Sequence, residues 1–255
     1  MLEQEIINAC KKLRLSKNFA EMAQVAEGKS PQEYLYKLLT QELKNREKGR
    51  IVKLINQAGF YQTKVYEDFR FDEVTLPGDV TPESLKTLSF ISEKKNIIMY
   101  GRTGTGKTML STALGVLACQ QGIPVKFYRT AALVNQLSEA KTAGTLALFL
   151  KKINKVQLLI LDEWGYVPYD RYGSQLLFDY LSEIHESKSV ILNTNLEFSK
   201  WVNVLYDEQM TAALIGRLTH HCHLLLFPGE NNRLRESSIN ELYERISTNQ
   251  EEQTA

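Results

Sequence analysis

The feature that most constrains this chain is the stretch "NIIMYGRTGTGKTMLSTAL", residues 96–114. Five mostly apolar residues run into a loop of glycine, threonine, arginine and lysine, and apolar residues then return at helical spacing. The order strand, glycine-rich cationic loop, helix is a phosphate cradle, and "GRTGTGKT" satisfies G-x-x-x-x-G-K-[ST] between the required flanks. Gly101, Gly104 and Gly106 allow backbone conformations and close approaches that a Cβ would forbid. The N–H groups of Gly101, Arg102, Thr103, Gly104, Thr105, Gly106, Lys107 and Thr108 then form an anion site at the positive end of the following helix. In that pattern Lys107 reaches the β and γ phosphates of ATP, and the Thr108 hydroxyl is a ligand for Mg²⁺.

A fold must place other groups around such a loop. Further short apolar runs follow it: "PVKFYRT" (124–130), "VQLLILDE" (156–163), "SVILNTN" (189–195) and "HLLLF" (223–227). Most are continuously apolar rather than alternating, which predicts strands buried on both faces, that is, a parallel sheet between helices. Residues 1–60 read instead as helices. Leu2, Ile6, Ile7, Cys10 and Leu13 fall at helical spacing, Ser30 and Pro31 open a long helix with Tyr34, Leu38, Leu39 and Leu43 in one stripe, and Gly59 is its stop. The expected organisation is an all-α N-terminal domain over 1–65, an α/β nucleotide-binding domain over 66–248 and a frayed tail over 249–255. The acidic, aromatic segment from about 65 to 82 reads as a linker lying against the second domain.

Hydrolysis needs an acid that positions metal and a group that orients water. The strand "VQLLILDEWG" ends in Asp162, expected to hold Mg²⁺ through water, and Glu163, expected to act as general base. The strand "SVILNTN" ends in asparagines, of which Asn195 is the preferred water or γ-phosphate contact and Asn193 its competitor. Strand parity puts both on one face and does not separate them.

With 43% hydrophobic and 24% charged residues the chain is of ordinary globular composition, and no apolar run approaches membrane-spanning length. The opening "MLEQEIINACKK" lacks the pattern of a secretory leader, and Cys10, Cys119 and Cys222 have neither zinc nor disulfide spacing, which suits a reducing cytoplasm. Net charge is +1, but residues 1–60 hold 11 Lys/Arg against 7 Asp/Glu. The runs "KKLRLSK" (11–17) and "KNREKGRIVK" (44–53) make a basic arm that permits phosphate contacts with nucleic acid without demanding them, a solvated helix face being the alternative. The "HHCH" run, His220 to His223, invites a metal reading. As a strand it would put His221 and His223 on one face and Cys222 on the other, with no second cluster to complete a set. Trp164, Tyr166 and Tyr169 read as packing residues, with stacking on nucleic-acid bases as the alternative.

The phosphate loop, "LLILDEWGYVP", "NTNLEFSKW", "AALIGRLTHHCHLL" and "GENNRLRES" occur in that order over most of residues 30–240. In this the chain resembles the IstB family, the ATPase helpers of insertion-sequence transposases, in the same AAA+ branch as the DnaC helicase loaders. The resemblance implies an AAA+ P-loop ATPase with ATP and Mg²⁺ as cofactors, which assembles as a homo-oligomer on double-stranded DNA and serves a cognate transposase without nuclease activity of its own. It implies that Arg217, in "LIGRL", is an arginine finger acting on a neighbouring copy, and that Arg233 is the second-sensor arginine, with Arg235 close enough to be confused with it. Here Asn231-Asn232-Arg233 stands where family members often have Ser-Tyr-Arg, and the lid is reduced to about one helix in "SSINELYERIS". A helicase loader of the DnaC type and a nucleotide-locked DNA-coating protein remain alternative readings.

Overall fold

The computed structural model describes residues 2–16, 18–166 and 169–232. The chain divides into two compact units, Met1–Asn56 and Gln57–Ala255. Residues 57–65, grouped by sequence with the N-terminal helices, therefore belong to the second unit. Gln57 accepts a bond from Lys126 through its carbonyl, and the Phe60 and Tyr61 rings meet the Phe127 ring edge-on, each 5.9 Å away. Helical periodicity runs through this boundary without a break, so the sequence pattern could not locate it.

The first unit contains α1 (Leu2–Lys12), α2 (Phe19–Val25) and α3 (Pro31–Ala58). The long helix starts as its sequence dictates. Ser30 Oγ accepts from the Glu33 N–H at 3.2 Å, and the chain leaves at Gly59 with φ +81°. Leu38 of the apolar stripe is buried, while Leu39 and Leu43 stay exposed. What joins the helices is polar. The buried Glu42 carboxylate accepts from the Ser16 N–H at 3.0 and 3.1 Å, from the Ser16 hydroxyl, and from Arg46 Nε at 2.7 Å. Arg46 Nη2 donates in turn to the Arg14 carbonyl at 2.9 Å, and the Tyr34 hydroxyl donates to Ala23 O at 2.6 Å. The link from Arg46 to Arg14 brings the two basic runs together.

The second unit opens with the aromatic segment. It leads through α4 (Pro82–Thr87) and α5 (Ser89–Ser92) into β1 (Asn96–Gly101). There follow α6 (Lys107–Gln120), β2 (Val125–Arg129), α7 (Thr130–Thr142), α8 (Leu146–Ile153), β3 (Leu158–Trp164), α9 (Arg171–Glu183), β4 (Ser189–Thr194), α10 (Val202–Leu205), α11 (Glu208–His220) and β5 (Cys222–Phe227). The five strands are those expected from the apolar runs. They form one parallel sheet in the order β2-β3-β4-β1-β5. Its central residues, Ile97, Ile98, Met99, Leu158 to Leu161, Ile191 and Leu192, are almost wholly buried, as continuous apolar strands require. The linker lies on the sheet edge. Thr75 exchanges both backbone bonds with Leu226, at 2.9 and 3.0 Å, so β5 does not end the sheet as a bare edge.

Strand order decides the chemistry. β1 and β2 are not neighbours, because β4 and β3 insert between them. The tip of β4 consequently lies between the glycine-rich loop after β1 and the acids closing β3, at the carboxyl ends of a parallel sheet where ligands bind.

The Glu42 network makes a prediction. Burial raises the Glu42 pKa, but the Ser16 and Arg46 donors outweigh it and hold the carboxyl below its ordinary value. A depressed carboxyl stabilises the fold above its unfolded pKa, and that stabilisation fades as pH falls through the folded value. Glu42→Ala should cost about 1–3 kcal/mol by orphaning Ser16 and Arg46. Wild type should lose the difference in acid, read as convergence of the two proteins' unfolding midpoints only as pH falls below about 4.5, where the unfolded carboxyl begins to protonate.

Candidate functional site

The loop between β1 and α6 is shaped by its glycines. Gly104 has φ +82° and Gly106 φ +99°, and Gly106 also stands at the N-cap of α6. A Cβ at Gly104 would overlap the Asn231 side chain, and one at Gly106 would lie 3.1 Å from the Phe69 ring. The 14-residue helix α6 has no side-chain cap, so its first N–H groups are left for an anion at its positive end. The buried Lys107 folds back over the loop, its ammonium donating to the carbonyls of Gly101 at 2.7 Å and Arg102 at 2.6 Å. Thr105 Oγ1 also donates to Arg102 O, at 2.8 Å.

Opposite the loop, Thr108 Oγ1 stands 3.1 Å from both carboxylate oxygens of Asp162, across 54 residues of sequence. Asp162 is buried, and Thr130 Oγ1 fixes its backbone carbonyl at 2.8 Å. A hydroxyl facing a carboxylate is a hard-oxygen donor set of the kind Mg²⁺ takes. The paired residues therefore fit the metal that the loop pattern implies.

The asparagines separate clearly. Asn193 is 1% exposed, and its Nδ2 donates to Asp162 Oδ1 at 2.9 Å and to Ser111 Oγ at 2.8 Å. Its Oδ1 is buried with no hydrogen-bond partner among the described residues, yet the residue lines the cavity in front of the loop. Asn195, the preferred candidate from sequence, lies one residue beyond the end of β4, exposed at the rim of the same cavity. Period-2 reasoning equates the two positions only while the strand continues, and β4 stops at Thr194.

Glu163 is held unusually. Register between β3 and β4 slips between Leu161 and Trp164, and Glu163 sits in that irregularity with φ +57°. Its half-exposed carboxylate is 3.3 Å from Arg129 Nε, and the Arg129 guanidinium covers the Tyr61 ring at 4.3 Å. Sequence reasoning missed Arg129. The signal that could find it is parallel register, which sets Arg129 directly opposite Asp162. It also missed Phe69, which meets Phe71 edge-on at 4.9 Å and lies against Gly106.

These residues line a cavity of about 620 Å³ that includes Thr103, Gly104, Lys107, Thr108, Arg129, Asp162, Glu163, Asn193 and Asn195. A second cavity of about 640 Å³, with Phe69, Thr105 and Met109, shares Gly106, Met109 and Asn232 with it. The Asn232 N–H donates to Gly104 O at 3.0 Å, so the chain returns to the loop just before Arg233. Arg233, Arg235, the expected lid helix and the tail lie outside the described residues.

Arg217, on α11, lines neither cavity of its own chain. Its Nη1 donates to Ser182 Oγ at 2.8 Å, and its guanidinium lies 5.3 Å from the Phe178 ring centre. Trp164 is fully buried against Trp201 at 4.9 Å and Tyr169 is buried, as packing residues, whereas Tyr166 is exposed beside the cavity. Burial pushes the Cys222 thiol up to about 12, so it is protonated at neutral pH and poorly suited to act as a nucleophile. No described helix is long and apolar enough to cross a membrane.

Residues 8–240 match the family described as IstB-like ATP binding protein. The ATP-binding protein of insertion sequence IS5376 from Geobacillus stearothermophilus is 31% identical over 245 residues, 94% of this chain and 98% of that protein. The corresponding protein of insertion sequence IS21 from Pseudomonas aeruginosa is 33% identical over 204 residues, 80% of this chain and 77% of that one. Among solved structures, AMPPCP-bound DnaA from Aquifex aeolicus superposes with a TM-score of 0.55 at 21% identity. It covers 71% of this chain, which spans only 57% of the DnaA chain, so the likeness is one of fold.

The strain at Glu163 is testable apart from any activity. A side chain at positive φ costs about 1–2 kcal/mol, and a half-exposed ion pair returns little. Glu163→Gly should raise the thermal unfolding midpoint by about 2–4 °C. A fall would mean that the contact with Arg129 outweighs the strain.

Proposed function

The chain belongs to the IstB-like ATP-binding protein family and has the AAA+ P-loop fold, and from that premise we propose that it hydrolyses ATP with Mg²⁺, assembles with its own copies on duplex DNA, and recruits and stimulates a partner transposase. The observation that carries the hydrolytic part is the convergence of Thr108 and Asn193 on the buried Asp162 carboxylate at the mouth of the glycine-rich loop.

In this reading the loop N–H groups and the α6 N-terminus bind the phosphates, and Lys107 exchanges the Gly101 and Arg102 carbonyls for β and γ oxygens. Thr108, and Asp162 through water, would hold Mg²⁺, which when bound offsets the charge of the transferring phosphoryl group. Asn193 Oδ1 supplies the acceptor that orients the attacking water. Glu163 takes the water's proton as its oxygen bonds to the γ phosphorus, and the bond to ADP breaks. The second cavity sets Phe69, Val74 and Met109 beside Asp68, Arg70, Asp72 and Glu73, a mixed lining that suits the flat face and polar edge of a nucleobase. Arg217 lines neither cavity of its own chain, which supports a role at the site of a second copy. Arg233 remains the proposed second sensor.

Phosphate-release assays with DNA present test the site. Glu163→Gln should keep nucleotide binding and lose at least about a hundredfold in turnover. Asn193→Ala should lose about 10²–10³, well beyond Asn195→Ala. If Asn195→Ala is the more damaging change, the asparagine assignment is reversed.

DNA contact is drawn to the two basic runs that Arg46 joins to Arg14. Lacking a base-reading motif, it should be mostly phosphate contact. Duplex affinity should fall steeply with salt, and replacing Lys44, Lys48 and Lys53 by alanine should flatten the log–log salt slope by about 0.9 per lost contact. Assembly should require ATP, and Arg217→Ala should lose hydrolysis while adding wild-type subunits partly restores it. Full turnover by a strictly monomeric preparation would exclude a shared site. Relatives above 30% identity named for insertion sequences favour a transposase partner over a replicative helicase. Co-purification with each candidate partner decides between them.

A further inference from the structure

His220 has no metal-ligand partner at recognisable sequence spacing, but the fold gives it two. His185 and Glu186 follow the C-terminal end of α9, and His220 closes α11. His185 Nε2 and His220 Nδ1 each lie 3.6 Å from the same oxygen, Glu186 Oε1. One ligand atom from each residue falls within 4.8 Å of the others. A separation of 3.6 Å is too long for a hydrogen bond, so the carboxylate satisfies neither imidazole in that way. It is close to the spacing of donors around one ion. Atoms bound tetrahedrally to zinc at about 2.0–2.1 Å stand about 3.4 Å apart.

Glu186 lies in the turn that follows α9 with φ +58°, the left-handed geometry that also ends α4 at Leu88 and α10 at Tyr206, and this turn carries its carboxylate to the point shared by both rings. The other histidines of the run do not join. His223 lies 3.9 Å from Asp79 instead, and the His221 ring meets the His220 ring at a tilt of 56° with centroids 4.2 Å apart.

We propose that His185, Glu186 and His220 form a site for a divalent transition metal of the Zn²⁺ class, with the remaining coordination position open to solvent. Two imidazoles and one carboxylate suit zinc and disfavour Mg²⁺, which takes oxygen donors. The site is therefore chemically distinct from the oxygen pair Thr108 and Asp162. The ion would tie the C-terminal ends of α9 and α11 together, one helical turn beyond Arg217, whose bond to Ser182 already links the same two helices.

The test is calorimetric titration of the metal-free full chain with Zn²⁺, together with Co²⁺ absorption and thermal unfolding, none of which depends on hydrolysis. One ion should bind per chain with micromolar affinity, unaffected by millimolar Mg²⁺, and should raise the unfolding midpoint. His185→Ala and His220→Ala should each weaken binding at least about tenfold, and Cys222→Ser should leave it unchanged. Glu186→Gly removes a ligand while relieving the strained φ. It should weaken zinc binding without lowering the metal-free midpoint, which keeps the test sound if a histidine variant folds poorly. Absence of binding, binding that survives loss of both histidines, or binding lost with Cys222 overturns the assignment.

Discussion

The bonds from Asn193 and Thr108 to Asp162 are the constraint on which the rest of the site depends. A buried carboxylate is costly unless donors meet it, and here the carboxylate at the end of β3 is met from two other elements, the start of α6 and the end of β4. No local sequence pattern can bring these together. They converge because β4 is the strand that separates β1 from β3, so anything at its tip must face both the glycine-rich loop and the acid. The sheet order is thus part of the chemistry. A sheet with β1 beside β3 would leave Asp162 with Thr108 alone and would give no place to a residue that touches the carboxylate on one side and offers an unsatisfied oxygen on the other.

How far the sequence reached follows from the range of each interaction. All five strands were legible because a strand buried on both faces must be apolar throughout, which is a property of the segment itself. The glycine-rich loop was legible for a similar reason: its backbone demands fall on adjacent residues. Asn193 was not separable from Asn195, because their difference lies in where β4 stops pairing, and partner strands decide that. Arg129 was invisible for want of register. A cation at the end of β2 has no distinction until β3 is laid beside it. The division between Asn56 and Gln57 falls inside α3, where unbroken helical periodicity gives no sign that packing passes from one unit to the other. The pairing of His220 with His185 and Glu186 spans more than thirty residues and two helix ends, beyond the reach of any spacing rule.

Among the described residues, each charged group assigned a part in hydrolysis already has a partner within the chain. Lys107 is bonded to two loop carbonyls, Glu163 is paired with Arg129, and Arg217 is bonded to Ser182 and lies against Phe178. Engaging ATP, water or a neighbouring subunit is therefore an exchange of contacts. The net gain is the difference between the new contact and the old one, and that difference is smaller than either. The oldest contacts differ in strength. A half-exposed ion pair such as Glu163 with Arg129 is worth little, whereas a buried ammonium on two carbonyls is worth more. Lys107 consequently has more to give up than Glu163, and only a ligand as strongly anionic as a polyphosphate can compensate it. In this fold, the selectivity for nucleotide resides as much in what Lys107 must leave as in what it meets.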